Sequence, residues 1–229
     1  MYKVENISKF FGELKVLDGI SLDFPEGKTT CILGPSGCGK TTLLNILAGF
    51  IPVDSGKLYG FNVDKSYIFQ EDRLIPWKTV KDNLEFVLKG KMDKRKIQEL
   101  IDFYLKISNL DEYKNYYPHK LSGGMRQRIN ILRAFMYPSK LILMDEPFKS
   151  LDINTKMVLM DFFKDLRKRD SKTCIMVTHD IDEAVELSHR IVIFSQKPTK
   201  VIKVMDVENY GERANLIDEI NDEFKKMGW

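Results

Sequence analysis

Residues 31–50 read CILGPSGCGKTTLLNILAGF. Gly34, Gly37 and Gly39, one lysine and two threonines separate a short apolar run from an amphipathic one. The pattern Gly34-x-x-x-x-Gly39-Lys40-Thr41 has the spacing of a phosphate-binding loop. Glycines let the backbone turn tightly and aim successive N–H groups at one centre, a nest for an anion. A helix starting at Lys40 adds the positive end of its dipole there. Lys40 is expected to reach the β- and γ-phosphates, and the Thr41 hydroxyl to hold Mg²⁺. The candidate loop comprises Gly34, Pro35, Ser36, Gly37, Cys38, Gly39, Lys40, Thr41 and Thr42. An ordinary glycine-rich β–α turn is the bland alternative, and the strand–loop–helix context speaks against it. The loop implies a nucleoside triphosphate without saying what its energy drives.

A second stretch, Leu141-Ile142-Leu143-Met144-Asp145-Glu146, is an apolar strand that ends in two carboxylates. Such a strand is expected to aim Asp145 at the metal and Glu146 at a water in line with the γ-phosphate. Many strands end in acids, so the reading depends on the loop upstream.

The third stretch, LSGGMRQR at residues 121–128, opens a helix with Ser122, Gly123 and Gly124, which makes a second site with exposed N–H groups. Here the chain resembles the ATP-binding cassette (ABC) ATPases, whose signature is LSGG-x-x-QR. In that family two cassettes stack head to tail, and each ATP lies between the P-loop of one and the signature of the other. The resemblance covers almost the whole chain. It implies that Ser122, Gly123, Gly124, Gln127 and Asp152 contact nucleotide in trans, with Ser150-Leu151-Asp152 matching the D-loop. It also implies that Gln70 touches Mg²⁺ and water, so that Thr41, Gln70 and Asp145 surround the metal. His179, after the strand CIMVT, matches the switch histidine that contacts the γ-phosphate. Phe11 matches the aromatic that stacks on adenine, with Val16 beside the ribose; Phe10 is an adjacent rival and a core role for Phe11 stays open. Glu146, His179, Gln70 and Lys40 are thus the expected catalytic set. His119 and His189 match no catalytic position. Lys149 departs from the pattern, standing where many relatives have glycine; it bears on D-loop geometry and removes no ATP-handling group.

These residues must be carried on alternating strands and helices. Residues 2–24 read as two strands turning at Gly12, and residues 29–33, 141–144, 174–178 and 191–194 as buried strands. The stretch after the P-loop helix has turn signals at Asp54-Ser55-Gly56 and Gly60-Phe61-Asn62, then a strand ending at Gln70. Residues 79–117 are helical in period until Pro118 breaks the run. Helices are expected from Ser122 to about 137, over 154–169 and 181–187, and in the tail, where Leu216, Ile217, Ile220, Phe224 and Met227 share one face. Alternation of this kind argues for a mostly parallel sheet. The expected fold is α/β: a P-loop NTPase (RecA-like) core with a small antiparallel β subdomain and an inserted α-helical subdomain. Residues 1–229 form a single ABC ATPase domain in this reading. The core and antiparallel part take 1–78 and 139–229, and the helical subdomain with the signature takes 79–138. The short stretch between Lys40 and Gln70 suggests a trimmed antiparallel part.

Composition bounds the function classes. The chain has 229 residues, 43% apolar and 30% charged, which suits a globular domain with a sizeable core. A net charge of +3 gives no electrostatic case for nucleic acid. The three cysteines have no metal-ligand spacing and fit a reducing cytosol; Cys31 and Cys174 are expected in the core, and Cys38, inside an electropositive loop, is a candidate reactive thiol. The N-terminus MYKVENISKFF has no apolar leader, and no run is long enough to span a membrane. Action at a membrane therefore requires another chain.

Two uses of the ATP compete. One is the energy-coupling subunit of a membrane transporter. The other is a soluble ABC ATPase acting on DNA or ribosomes, a class that usually shows two cassettes or a long coiled-coil insertion. The absence of both here favours the transporter. The stretch FQEDRLIPWKTVKDNLEF resembles importers of the nitrate, sulfonate and taurine type, and some thiamine-precursor importers; an exporter subunit is the other transporter alternative. The partners so implied are a second cassette, a permease docking near Gln70 to Trp77 and, indirectly, an external solute-binding protein, with the chain peripheral on the cytoplasmic face of the membrane. Trp77 serves either that groove or, alternatively, as an internal anchor of the helical part.

Overall fold

The computed structural model describes residues 1–149 and 151–228. Strands β1 (Tyr2–Phe11) and β2 (Leu14–Phe24) form a hairpin, and β3 (Thr29–Leu33) follows as a fully buried strand. The P-loop helix is α1 (Lys40–Ala48), and β4 (Ser55–Tyr59) returns to pair antiparallel with β1. A three-stranded sheet of order β2-β1-β4 results. The turn expected at Asp54-Ser55-Gly56 is instead the start of β4. Gly56 is needed inside it: its φ is +97°, and a Cβ there would stand 2.5 Å from the Glu5 carbonyl oxygen of β1.

The second sheet contains β5 (Lys65–Ile68), β6 (Leu141–Asp145), β7 (Thr173–Thr178), β8 (Arg190–Phe194) and β9 (Val201–Asp206). Its order is β5-β6-β7-β3-β8-β9. Every pair is parallel except β8–β9. The central strands are buried on both faces, which is why they read as unbroken apolar runs. Alternate residues serve the two faces. Ile32, Leu143, Ile175 and Val192 join α1 and the antiparallel sheet in one core. Cys31, Ile142, Cys174 and Ile191 join a second core, with helices on the opposite side.

Those helices are α2 (Val80–Leu88), α3 (Lys94–Ile107), α4 (Gly123–Met136), α5 (Ile153–Arg169), α6 (Ile181–Leu187) and α7 (Arg213–Lys226). The helical run expected over 79–117 is divided. Gly90, at φ +79°, breaks it between α2 and α3, Asp93 caps α3 afresh, and only short 3₁₀ turns follow Ile107. In α7, Leu216, Ile220 and Phe224 face the core as the spacing predicts. Among the described residues no helix is long and apolar enough to cross a membrane.

Candidate nucleotide site

The P-loop folds around its own lysine. Lys40 is buried, and its ammonium donates to the carbonyls of Gly34 at 2.6 Å and Pro35 at 2.9 Å. The charge is thereby fixed at the centre of the loop. Gly39 heads α1 at φ +117°, and a Cβ there would stand 2.9 Å from the Val16 side chain. No side chain caps α1. Ser36 and Gly37 are exposed at the loop's crest, while Gly34, Pro35, Cys38 and Gly39 are buried. The loop is pinned from below by Thr199, which is fully buried and donates its hydroxyl to the Cys38 carbonyl. That contact comes from a segment that the sequence reading assigned no role. Thr42 is half-buried one turn into the helix.

Val16 is only 3% exposed and packs under Gly39 at the floor of the loop, which leaves it little free surface. One expectation is corrected here. Cys38 is buried as well, and burial raises its thiol above the ordinary value despite the opposing pull of Lys40. A buried protonated thiol is a poor nucleophile. Cys31 and Cys174 lie in the core as expected.

Strand β6 brings the carboxylates to the loop. The Thr41 hydroxyl donates to Asp145 Oδ1 at 2.9 Å, joining α1 to β6. Burial raises the Asp145 carboxyl, with Glu146 next door adding to it and the Thr41 bond opposing it. A hydroxyl and a carboxylate at the phosphate pole are hard oxygen donors. They suit Mg²⁺, which takes one or two protein ligands and completes its shell with phosphate and water. Among the described residues there is no cluster of three acidic, histidine or cysteine ligands that would suit a metal held by protein alone. Gln70, the third expected ligand, is exposed on the bend that follows β5, which ends at Ile68.

Glu146 has φ +44°, a left-handed conformation that a non-glycine residue adopts at a cost. Its N–H donates to the Val177 carbonyl at 3.0 Å, which ties the bend to β7. Its carboxylate meets His179 Nδ1 at 3.4 Å through Oε1 and Lys149 Nζ at 2.7 Å through Oε2. The Lys149 contact is an ion pair rather than a directed hydrogen bond. Burial works to raise this carboxyl, but Lys149 and His179 outweigh it and hold it below the ordinary glutamate value. His179 stands half-exposed between β7 and α6. Its position is set by neighbours: Thr178 donates to Glu183 at 2.7 Å, and Asp180 caps α6 through the Glu183 N–H.

The signature sits at the head of α4. Ser122 and Gly123 are exposed, Gly124 is half-buried, and the Ser122 hydroxyl accepts from the Met125 N–H at 3.3 Å. Gln127 is not presented there. It is buried, and its amide donates to the Pro147 carbonyl, so it braces the loop after β6 instead of facing a second molecule. Asp152 is exposed and caps α5 through the Thr155 N–H at 3.0 Å. Ser150, named with it in the D-loop expectation, lies outside the described residues. Phe11 is 51% exposed near the β1–β2 turn, with the Lys9 ammonium 5.6 Å from its ring centre. Phe10 is also exposed and keeps Lys15 over its ring. The two remain rivals for the same contact.

The loop after Gln70 is held by Asn83, which is fully buried. Its amide donates to the carbonyls of Ile75, Lys78 and Thr79, and its oxygen accepts from the Ile75 N–H at 2.7 Å. Thr79 and Asp82 form a capping box at the start of α2. On this fixed loop Trp77 is 76% exposed, which excludes the internal-anchor alternative. On the signature side, Arg126 pairs with Asp72 at 2.9 Å, and Arg133 donates to the carbonyls of Asp72 and Arg73.

Comparison with known proteins gives the family. The family model described as ABC transporter matches residues 17–149. The chain belongs to the ABC transporter family and is one of its ATP-binding, ATP-hydrolysing cassettes. It is 39% identical over 216 residues to the aliphatic sulfonates import ATP-binding protein SsuB of Bacillus cereus, covering 89% of this chain and 84% of that protein. It is 36% identical over 228 residues to an uncharacterized ABC transporter ATP-binding protein of Methanocaldococcus jannaschii, covering 93% of this chain and 85% of the relative. Among solved structures, the dimer of a bacterial ABC transporter cassette matches with a TM-score of 0.76 at 31% identity, over 90% of this chain and 99% of that one. A dimeric cassette in a post-hydrolysis state with ADP and Pi matches with a TM-score of 0.75, with the same identity and coverage.

Proposed function

We propose that this cassette is the energy-coupling subunit of an importer for a small anionic or polar solute, of the sulfonate, nitrate or taurine type or a thiamine precursor. The observation that carries the importer reading is Trp77, 76% exposed on a loop locked by Asn83. Beside the loop runs a groove lined by Phe50, Tyr67, Phe69, Ile75, Phe86 and Arg73. An exposed tryptophan beside an aromatic groove is the composition of a protein-docking hot spot. The groove suits a helix of a permease, and its occupant would hold the cassette at the cytoplasmic face of the membrane. The likeness to a sulfonate import ATPase supports the cargo class.

The mechanism follows from the site. Two copies bind ATP and close head to tail. Lys40 and the N–H groups of residues 36–42 hold the phosphates, Phe11 or Phe10 stacks on the base, and Ser122, Gly123 and Gly124 of a second copy cover the γ-phosphate. Thr41, Asp145 and Gln70 would hold Mg²⁺, which would neutralise phosphate charge. Glu146 Oε1 accepts the proton of the attacking water, and His179 steadies that oxygen and the γ-phosphate. Gln70 shares the segment 70–77 with Trp77, so nucleotide state reaches the docking groove through one short stretch of chain. Residues 79–138 act as the helical subdomain that carries the signature, and 1–78 with 139–229 as the core.

The test is purification of the tagged protein from gently solubilised native membranes with its partners identified by mass spectrometry. A polytopic permease is expected with the wild type. It is expected to be lost in Trp77→Ala, while that variant's ATP hydrolysis in solution is unchanged. Recovery of ribosomes or DNA-repair proteins with no membrane partner would overturn the transporter reading.

A further inference from the structure

The turn after β6 is held at three points. The Gln127 amide donates to the Pro147 carbonyl, Phe148 is buried against Phe163, and the Lys149 N–H donates to the Glu146 carbonyl at 3.2 Å. These contacts fix the Lys149 backbone relative to Glu146. The same turn brings their side chains together, with Lys149 Nζ 2.7 Å from Glu146 Oε2. Oε2 is buried and makes no directed hydrogen bond, so the ammonium is its one neutralising neighbour among the described contacts. Oε1 is left on the side of His179, whose Nδ1 stands 3.4 Å away, at the long end of hydrogen-bonding distance. The remaining space around Lys149 is a cleft that it lines with Gln70, Gly123, Arg126 and Leu151.

From this geometry we propose that Lys149 is a positioning residue for hydrolysis: it anchors one oxygen of Glu146 so that the other faces the attacking water. The proposal rests on Glu146 being the group that handles that water. A glutamate side chain has three rotatable bonds, and a base held in one orientation loses less to misaligned encounters than a free one. The Lys149 side chain is partly exposed but Oε2 is buried, so removing the ammonium should also cost some stability. The positioning role is therefore read from kcat in variants that are still folded at the assay temperature.

The experiment compares Lys149→Met, Lys149→Arg and Glu146→Gln with wild type in steady-state ATP hydrolysis, with melting temperature as the check on folding. Lys149→Met is expected to lower kcat by about three- to tenfold with KM unchanged. Lys149→Arg keeps a cation within reach and is expected to stay within about twofold of wild type. Glu146→Gln tests the underlying reading separately. If it retains wild-type turnover, the role of Glu146 is wrong and the proposal falls with it. If Glu146→Gln is inactive but Lys149→Met keeps or raises kcat, Lys149 does not position the base. A Lys149→Met variant whose KM rises while kcat holds would make the lysine a phosphate ligand and overturn the proposal as well.

Discussion

The two glycine-rich helix heads of this molecule are built differently. At α1 the head is Gly39, with φ +117° and no side-chain cap, and Lys40 is buried beneath it on two carbonyls. At α4 the head is Ser122, exposed, whose hydroxyl already accepts from the Met125 N–H. Both heads present the positive end of a dipole. Only the first combines it with a fixed full charge and an acceptor-free cap. On the proposed function this is a division of labour: the α1 head would bind phosphate within one chain, whereas the α4 head would be a weaker, neutral donor set that matters once another molecule holds the phosphate against it.

Removing the charge is the strongest test of that division. Lys40→Ala should abolish measurable ATP binding by the isolated cassette and lower hydrolysis by more than about a hundredfold. Equilibrium binding of a fluorescent ATP analogue would check it. Retained tight binding would mean that the two heads are equivalent. Next in size is Glu146→Gln, which leaves both heads intact and removes the group proposed to handle water. Turnover should fall about a hundredfold or more, and size-exclusion chromatography with ATP should show a trapped dimer. A monomer under those conditions would mean that the α4 head does not cover a partner's nucleotide.

Ser122→Ala separates the heads more finely. ATP binding to the monomer should be unchanged, ATP-dependent dimerisation should weaken, and kcat should drop about tenfold. The lost cap should also cost about 0.5–2 kcal/mol of stability, read as a small fall in melting temperature. If the variant binds ATP poorly as a monomer, the distinction between the heads fails.

How much of this was legible in the sequence depends on range. The P-loop, β6 with its two acids, and the signature are local patterns, and the structure builds each on the element its spacing predicts. What escaped depends on side-chain direction or on distant partners. Gln127 lies within a functional stretch, but its side chain turns inward, and nothing local distinguishes an inward glutamine from an outward one. Cys38 has the electropositive loop around it, yet burial decides its chemistry. The Thr199 contact under the loop joins residues 161 positions apart. The Lys149–Glu146 pair needs the turn's geometry, although the i,i+3 spacing of opposite charges was a signal that could have been used. The β9 strand was missed because its Ile202 and Val204 face solvent, so the run lacks a buried strand's pattern context.

The smallest effect concerns what feeds the two heads. Helix α4 follows the 3₁₀ turn Pro118–Lys120, whereas α1 follows β3, whose first N–H, from Thr29, donates to His189 Nδ1 at 3.1 Å. That bond requires a neutral imidazole. Burial lowers the His189 value below the ordinary histidine one, Arg167 and Lys28 lower it further, and Glu208 opposes them. The folded state therefore favours the neutral form, and the unfolded chain binds the extra proton. Its contribution is complete above the unfolded histidine value of about 6.5 and is lost as pH falls below it toward the folded value. The melting temperature should decline over that window, and in His189→Asn, whose amide oxygen can also accept from Thr29, the decline should be smaller. Hydrogen exchange at pH just below 6 should then show faster opening of β3 than of the α4 head. Equal loosening of both would mean that His189 does not set the stability of the strand that carries the P-loop.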